Sequence, residues 1–470
     1  MNEASGTEET AETGGLVLNL EWTLAALPEE VFRMLTEPAE LVRTYPASPA
    51  RPPLTSLLTV VTLFDNRRGR PSAPEAPWRT LMFRARSLMR SATTGDRVTR
   101  IELFFDLVFV FALSQLSHYL LEHPSWVGAG ETFVLLLAVY KVWVYTTWTA
   151  TLLDTSRLEV QWMLLIVMLV SLFMNASIGS AFGAFGWLFA ASYLLVQLGR
   201  GAWILTVGLD RTTHDHFVRT LIWGFMSAPF WIAGAFFDPG PRLMFWGVAA
   251  AIDLGGHMLA HRLPGRKTEG SRVPLPGERI FERFGLFYLI ALGETILSTG
   301  LAIAANLEDP LILLTGTVSL AGSVAIWWCY FHGLEQEVLE KLDSVDDQFR
   351  PGILAGNTLV VLLAGLILVA VGDQLVITDP TARPDLTTVL LIFGGPALFL
   401  AARGVFIRRV LGHREPSDLA GIGALAVLAS LSFLLPAFVA AMGAVLPLIG
   451  VAYSDAVNRR RRRQRSSGRL

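Results

Sequence analysis

Long apolar runs alternate with short polar breaks over most of this chain. Between Glu102 and Tyr453 the pattern predicts twelve apolar segments. Each is about 20 residues long, enough to cross a hydrocarbon core as a helix. Their limits read as Glu102–Leu121, Glu131–Leu153, Glu159–Ile178, Gly183–Thr206, Thr220–Phe237 and Leu243–Ala260, then Phe284–Ala304, Leu311–His332, Gly352–Val376, Thr387–Ile407, Asp418–Leu435 and Ala437–Tyr453. The expected class is an all-α, polytopic integral membrane protein embedded in a lipid bilayer. The last two segments are divided only around Pro436, so a re-entrant pair fits there as well as two full spans.

The positive charges fit this map. With the N-terminus placed inside, the inside connections collect Arg84, Arg86, Arg90, Arg97 and Arg100, then Arg157, then Arg200, Arg211 and Arg219, then Arg262, Arg266, Lys267, Arg272, Arg279 and Arg283, then Lys341 and Arg350, then Arg403, Arg408, Arg409 and Arg414, and finally Arg459 to Arg463 with Arg465 and Arg469. The outside connections carry only Arg242 and Arg383. Lys and Arg accumulate on the cytoplasmic side of membrane proteins. The expectation is a multi-pass protein of the cell membrane with both termini in the cytoplasm. Within the spans, one basic residue stands out, Lys141.

An offset of 179 residues superposes the first and seventh segments. Arg100 meets Arg279, Phe105 meets Phe284, Ala112 meets Ala291 and Gln115 meets Glu294. Six spans per half is an even number, so such a duplication gives two parallel halves with function expected between them. The expected organisation is a cytoplasmic extension over 1–96, a first six-helix half over 97–261, a basic linker over 262–283, a second half over 284–453 and an Arg-rich tail over 454–470. Within the extension, Leu16–Trp22 alternates like a strand and Pro28–Thr36 reads as a short helix, between Pro-rich linkers. A start at Met82 or Met89 would give a compact membrane protein without it.

Composition narrows the function. The chain is 52% hydrophobic and 17% charged, against about 25% charged in soluble domains. Its single cysteine, Cys329, excludes an intramolecular disulfide and a cysteine metal cluster. No phosphate-binding loop, nucleophile elbow or zinc-protease motif occurs, so soluble-type catalysis has no support. Nucleic acid is a poor fit for the Arg tail, which reads as a topological anchor. No cofactor and no metal are expected. A homo-oligomer is compatible with the sequence.

The candidate chemistry lies in polar residues inside the spans, where an ionisable group costs roughly 2.5–3.5 kcal/mol on insertion. Glu102 and Asp106 share one face of the first segment, and read either as an acid pair lining a path or as a structural ion pair with Arg100, Arg279 or Arg283. Glu294 is the sharpest candidate, flanked by Gly293 and Ser298, with Lys141 as its expected partner at mid-depth. Gln115 is its counterpart under the repeat. Asp253, His257 and His261 follow an i, i+4, i+8 spacing that would put them on one face of the sixth segment, as a packed polar face, a proton relay or a metal site.

The runs Glu102-Leu-Phe-Phe-Asp106-Leu-Val-Phe-Val-Phe-Ala-Leu-Ser-Gln115 and Glu282-Arg-Phe-Gly-Leu-Phe-Tyr-Leu-Ile-Ala-Leu-Gly-Glu294 resemble the signature of the bacterial low temperature requirement A family, over about Arg97 to Tyr453. That resemblance implies a polytopic membrane protein linked to growth in the cold, without implying a reaction. Arg279 stands where members often carry His. Arg100-x-x-x-Phe104-Phe105-Asp106 is similar to the first-span motif of the lysosomal-type potassium channels, although Phe105 replaces its Ser and Gly285 replaces the second Asp. The readings left open are a transporter or channel for a small ion or solute, with Glu294, Lys141, Asp106, Gln115 and Glu102 along the pathway; a membrane enzyme or lipid-modifying protein using His257 and His261; and a non-transporting scaffold or stress sensor.

Overall fold

The computed structural model describes residues 88–90, 98–262, 277–332, 338 and 349–467, and not the side chains of 277, 349, 350 and 459–467. The expected extension, apart from Leu88–Arg90, and most of the basic linker lie outside the described residues. So do the side chains of the Arg run.

Twelve α-helices and no strand occur among the described residues. In the first half they are α1 (Arg100–Glu122), α2 (Trp126–Leu152), α3 (Leu158–Ala176), α4 (Gly186–Thr206), α5 (Arg211–Ala235) and α6 (Pro239–Met258). The second half contains α7 (Gly277–Ala304), α8 (Pro310–Phe331), α9 (Phe349–Thr378), α10 (Leu386–Val410), α11 (Pro416–Ser432) and α12 (Ala437–Ser467). Nine are long and apolar enough to cross a membrane; α5, α6 and α11 fall short by length or hydropathy. This is a multi-pass helical membrane protein. The last two apolar segments are separate helices, with α11 only 17 residues long.

Local chemistry sets the ends. Asp210, Asp309 and Asp385 each accept a backbone N–H of the following turn, and Ser125 does the same for Gly128. Such caps satisfy donors that a helix start otherwise leaves unpaired. Asp385 lies at the exposed start of α10, where the Thr388 hydroxyl and amide hold its carboxyl below the usual range.

The surface of α3 carries exposed Ile166, Leu169, Leu172 and Phe173. In water such a stripe would be a liability; against lipid tails it is the expected face. At some crossings small residues let helices approach closely. On α10, a Cβ at Gly395 would lie 2.8 Å from the Gly365 carbonyl oxygen on α9, so the two backbones cross in near contact.

In the first half α1 packs on α2 and α3, α3 on α4, α4 on α5, α5 on α6, and α6 returns to α2. In the second half α7 packs on α8 and α9, α9 on α10, α10 on α11, α11 on α12, and α12 returns to α8. The halves meet where α1 and α2 face α7 and α9. There the Tyr140 hydroxyl donates to the Gly356 carbonyl at 2.5 Å.

Candidate functional site

Three groups of charged side chains are buried in the bundle. The first ties the halves together. Arg279 and Arg283, one turn apart on α7, face Glu102 and Asp106, one turn apart on α1. Arg279 donates to Glu102 Oε2 at 2.6 Å and Arg283 to Asp106 Oδ1 at 2.7 Å, while Arg283 Nη1 lies 3.5 Å from Glu102 Oε1. Trp143 Nε1 also donates to Asp106 at 2.8 Å, and its ring stacks on Phe287 at 4.0 Å. The Thr99 amide and hydroxyl both donate to Glu102 at 2.8 Å, so this acid caps α1 as well as binding arginine. Of the two sequence readings for these acids, the geometry matches the ion pair. α7 starts well ahead of Phe284, where hydropathy placed it, because each arginine on its first turns has an acid opposite.

The second group is the core of the first half. Lys141 on α2 donates to Asp253 Oδ1 on α6 at 2.5 Å. The other carboxylate oxygen accepts from Tyr193 on α4 at 2.5 Å and Trp231 on α5 at 3.0 Å. One acid thus gathers donors from three helices besides its own. The expected Lys141–Glu294 pair does not form. Lys141 points into the first half toward α6, whereas Glu294 lies in the second half with Ser114 and His118 of α1 as its polar neighbours. Depth along the spans made the two look like partners; helix rotation decides otherwise. Glu294 is buried, and Gln115, next to Ser114, is half-buried.

His257 and His261 also depart from expectation. α6 ends at Met258, so His261 is not two turns further along its face. Ala260 and His261 take positive φ, 50° and 53°, and the His261 N–H returns to the Gly256 carbonyl at 2.7 Å. The Ala260 N–H returns to His257, which completes a Schellman-type ending. This turn folds His261 back beside the helix. Tyr145 Oη then reaches His261 Nε2 at 2.7 Å and His257 Nδ1 at 3.3 Å. Among the described residues no group of three His, Cys, Asp or Glu is placed to hold a metal ion.

Two cavities flank the Lys141–Asp253 pair. One, about 20 Å³, runs along Tyr140, Tyr145, Trp231 and His257; the other, about 10 Å³, runs toward Gln197, Arg200 and Thr220. Lys141 lines both.

The third group was not anticipated. Arg403 on α10 binds Asp418 on α11 and Asp455 on α12. The sequence placed Arg403, Arg200 and Arg219 in cytoplasmic connections, but they lie inside α10, α4 and α5 and are buried. Arg242, likewise expected in an outside connection, is buried in α6 and donates to the carbonyls of Ala181, Gly183, Gly234 and Phe237. Asp373 was also passed over. It lines a cavity of about 20 Å³ with Ser319 on α8. An acid inside the longest apolar run was the available signal.

Residues 97–453, from α1 into α12, match the model of the bacterial low temperature requirement A protein family. The chain is also similar to the Uncharacterized protein RA0937 of Rhizobium meliloti (strain 1021), at 34% identity over 373 residues, which covers 77% of this chain and 89% of that one. No solved structure matches it. The family match takes in these buried charges except Asp455, two residues past its end, and the chain belongs to the bacterial low temperature requirement A (LtrA) family.

Proposed function

We propose that this protein is a transporter for a small ion or solute, with the Lys141–Asp253 pair as its working centre. The observation that carries this reading is the pair's position between two cavities, inside a half-bundle where no packing requirement demands charge. Buried ion pairs contribute little net stability, because desolvation offsets most of their attraction. Ionisable residues kept within membrane helices generally mark pathways or proton relays. Lys141 and Asp253 can exchange a proton or trade each other for an incoming charge, and Tyr193 and Trp231 supply the hydrogen bonds that hold Asp253. Glu294, with Ser114 and His118 beside it, is a second polar point on the pathway, near the junction of the halves. Glu102 and Asp106 act as the fixed hinge pin between them.

A six-plus-six repeat underlies this reading. Its support is the matching order of neighbours in the two halves and the 179-residue sequence offset. Parallel halves of this kind alternate access by rocking about a shared interface. The charge distribution along the chain supports a cell-membrane location with both termini in the cytoplasm.

The test is flux into proteoliposomes of purified protein against protein-free vesicles, screening potassium, sodium, protons, small anions and small organic solutes. Selective, saturable flux above the vesicle background is expected. Folded protein that moves none of them contradicts the proposal.

A further inference from the structure

We propose that the cavity between α2, α4 and α5 binds a small monovalent anion, of about the size of chloride, on Arg200. The inference deepens the transport reading above, since it names the class of solute that would meet the Lys141–Asp253 centre.

Arg200 is 5% exposed, yet no carboxylate bonds to it. Its Nη2 donates to Gln197 Oε1 at 2.7 Å, while Nε and Nη1 are buried without a hydrogen-bond partner. The amide nitrogen of Gln197 is also unpartnered. Both residues line the cavity with Lys141, Thr149 and Thr220, and its wall contains no acid. The threonine hydroxyls already donate to the carbonyls one turn back, leaving their oxygens free to accept but not to neutralise charge.

The Tyr145 ring lies between the two cations, with Lys141 Nζ 5.7 Å and Arg200 Cζ 5.6 Å from its centroid. A π-face offsets part of the positive charge. It cannot accept from Nε and Nη1 in the way an anion does. Lys141 is neutralised by Asp253, so among the described residues that line this cavity it is Arg200 whose positive charge is uncompensated. A buried guanidinium with orphaned donors is strongly disfavoured, and a monovalent anion is the smallest group that satisfies both its charge and its hydrogen bonds. The cavity, about 10 Å³, has room for one water-sized occupant, which suits a chloride-sized ion and excludes a lipid headgroup.

The experiment uses full-length protein in detergent, at constant ionic strength, with gluconate replaced stepwise by nitrate, chloride or acetate. The readout is the thermal unfolding midpoint. At least one small anion is expected to raise the midpoint saturably. Arg200→Gln should weaken the apparent affinity about tenfold or more, while Arg200→Lys should retain most of it. A midpoint indifferent to the identity of the anion overturns the site, and so does undiminished affinity in Arg200→Gln. Should Arg200→Gln not fold, Gln197→Leu serves, with weakened affinity expected and wild-type affinity contradicting the site. Saturable binding without flux of any solute upholds the site and contradicts transport; cation flux without anion binding does the reverse.

Discussion

Arg283 on α7 donates to Asp106 on α1 at 2.7 Å, and both side chains are fully buried at the junction of the two halves. The bond joins residues 177 apart in the chain. With Arg279–Glu102 one turn away, it forms a double ionic latch.

Removing one partner of this latch leaves an uncompensated charge in the core. Arg283→Ala is expected to destabilise by roughly 3–5 kcal/mol, seen as a large fall in the detergent melting midpoint. The double change Arg283→Met with Asp106→Asn should recover most of that loss, because Asn still accepts from Trp143. A double variant as unstable as Arg283→Ala would show that the charges themselves are required.

The Gly365–Gly395 crossing gives a second expectation. Gly395→Ala would push a methyl group into the Gly365 carbonyl and Val369, at a cost of roughly 1–3 kcal/mol. Gly394→Ala, one residue away with open space around its Cβ, should melt like wild type. Equal effects of the two would mean that α9 and α10 do not approach this closely.

The turn after α6 holds a strained alanine. Non-glycine residues in the left-handed region cost roughly 1–3 kcal/mol each, so Ala260→Gly should raise the melting midpoint by about a kilocalorie's worth. A lowered midpoint would contradict the left-handed conformation there.

Glu294 sits apart from the Lys141–Asp253 pair. Glu294→Gln is expected to reduce flux severalfold while leaving the melting midpoint within a few degrees of wild type. Unchanged flux would remove it from the pathway and confine the working centre to the first half.

Much of this architecture was legible in the sequence, since membrane spanning imposes a length and a composition on each helix. Periodicity along α1 put Glu102 and Asp106 on one face, and the list of their partners already held Arg279 and Arg283. Partnership across helices was harder to read. Lys141 and Glu294 shared a depth, but nothing in hydropathy reports rotation about a helix axis, and Asp253 lies on the face Lys141 reaches. His261 was misplaced because the Schellman ending uses alanine where glycine would have signalled the stop. Arg403 and Arg242 were read as loop charges because buried arginines near helix ends look the same in sequence as arginines at the membrane surface.

The central claim is that the Lys141–Asp253 charges work rather than merely hold helices together. The direct measurement is solute flux in proteoliposomes of Lys141→Met with Asp253→Asn, a neutral pair in which Asn still accepts from Tyr193 and Trp231. The account predicts a folded protein, with a melting midpoint near that of wild type, and flux reduced to the vesicle background. A folded neutral variant that transports at the wild-type rate would contradict it.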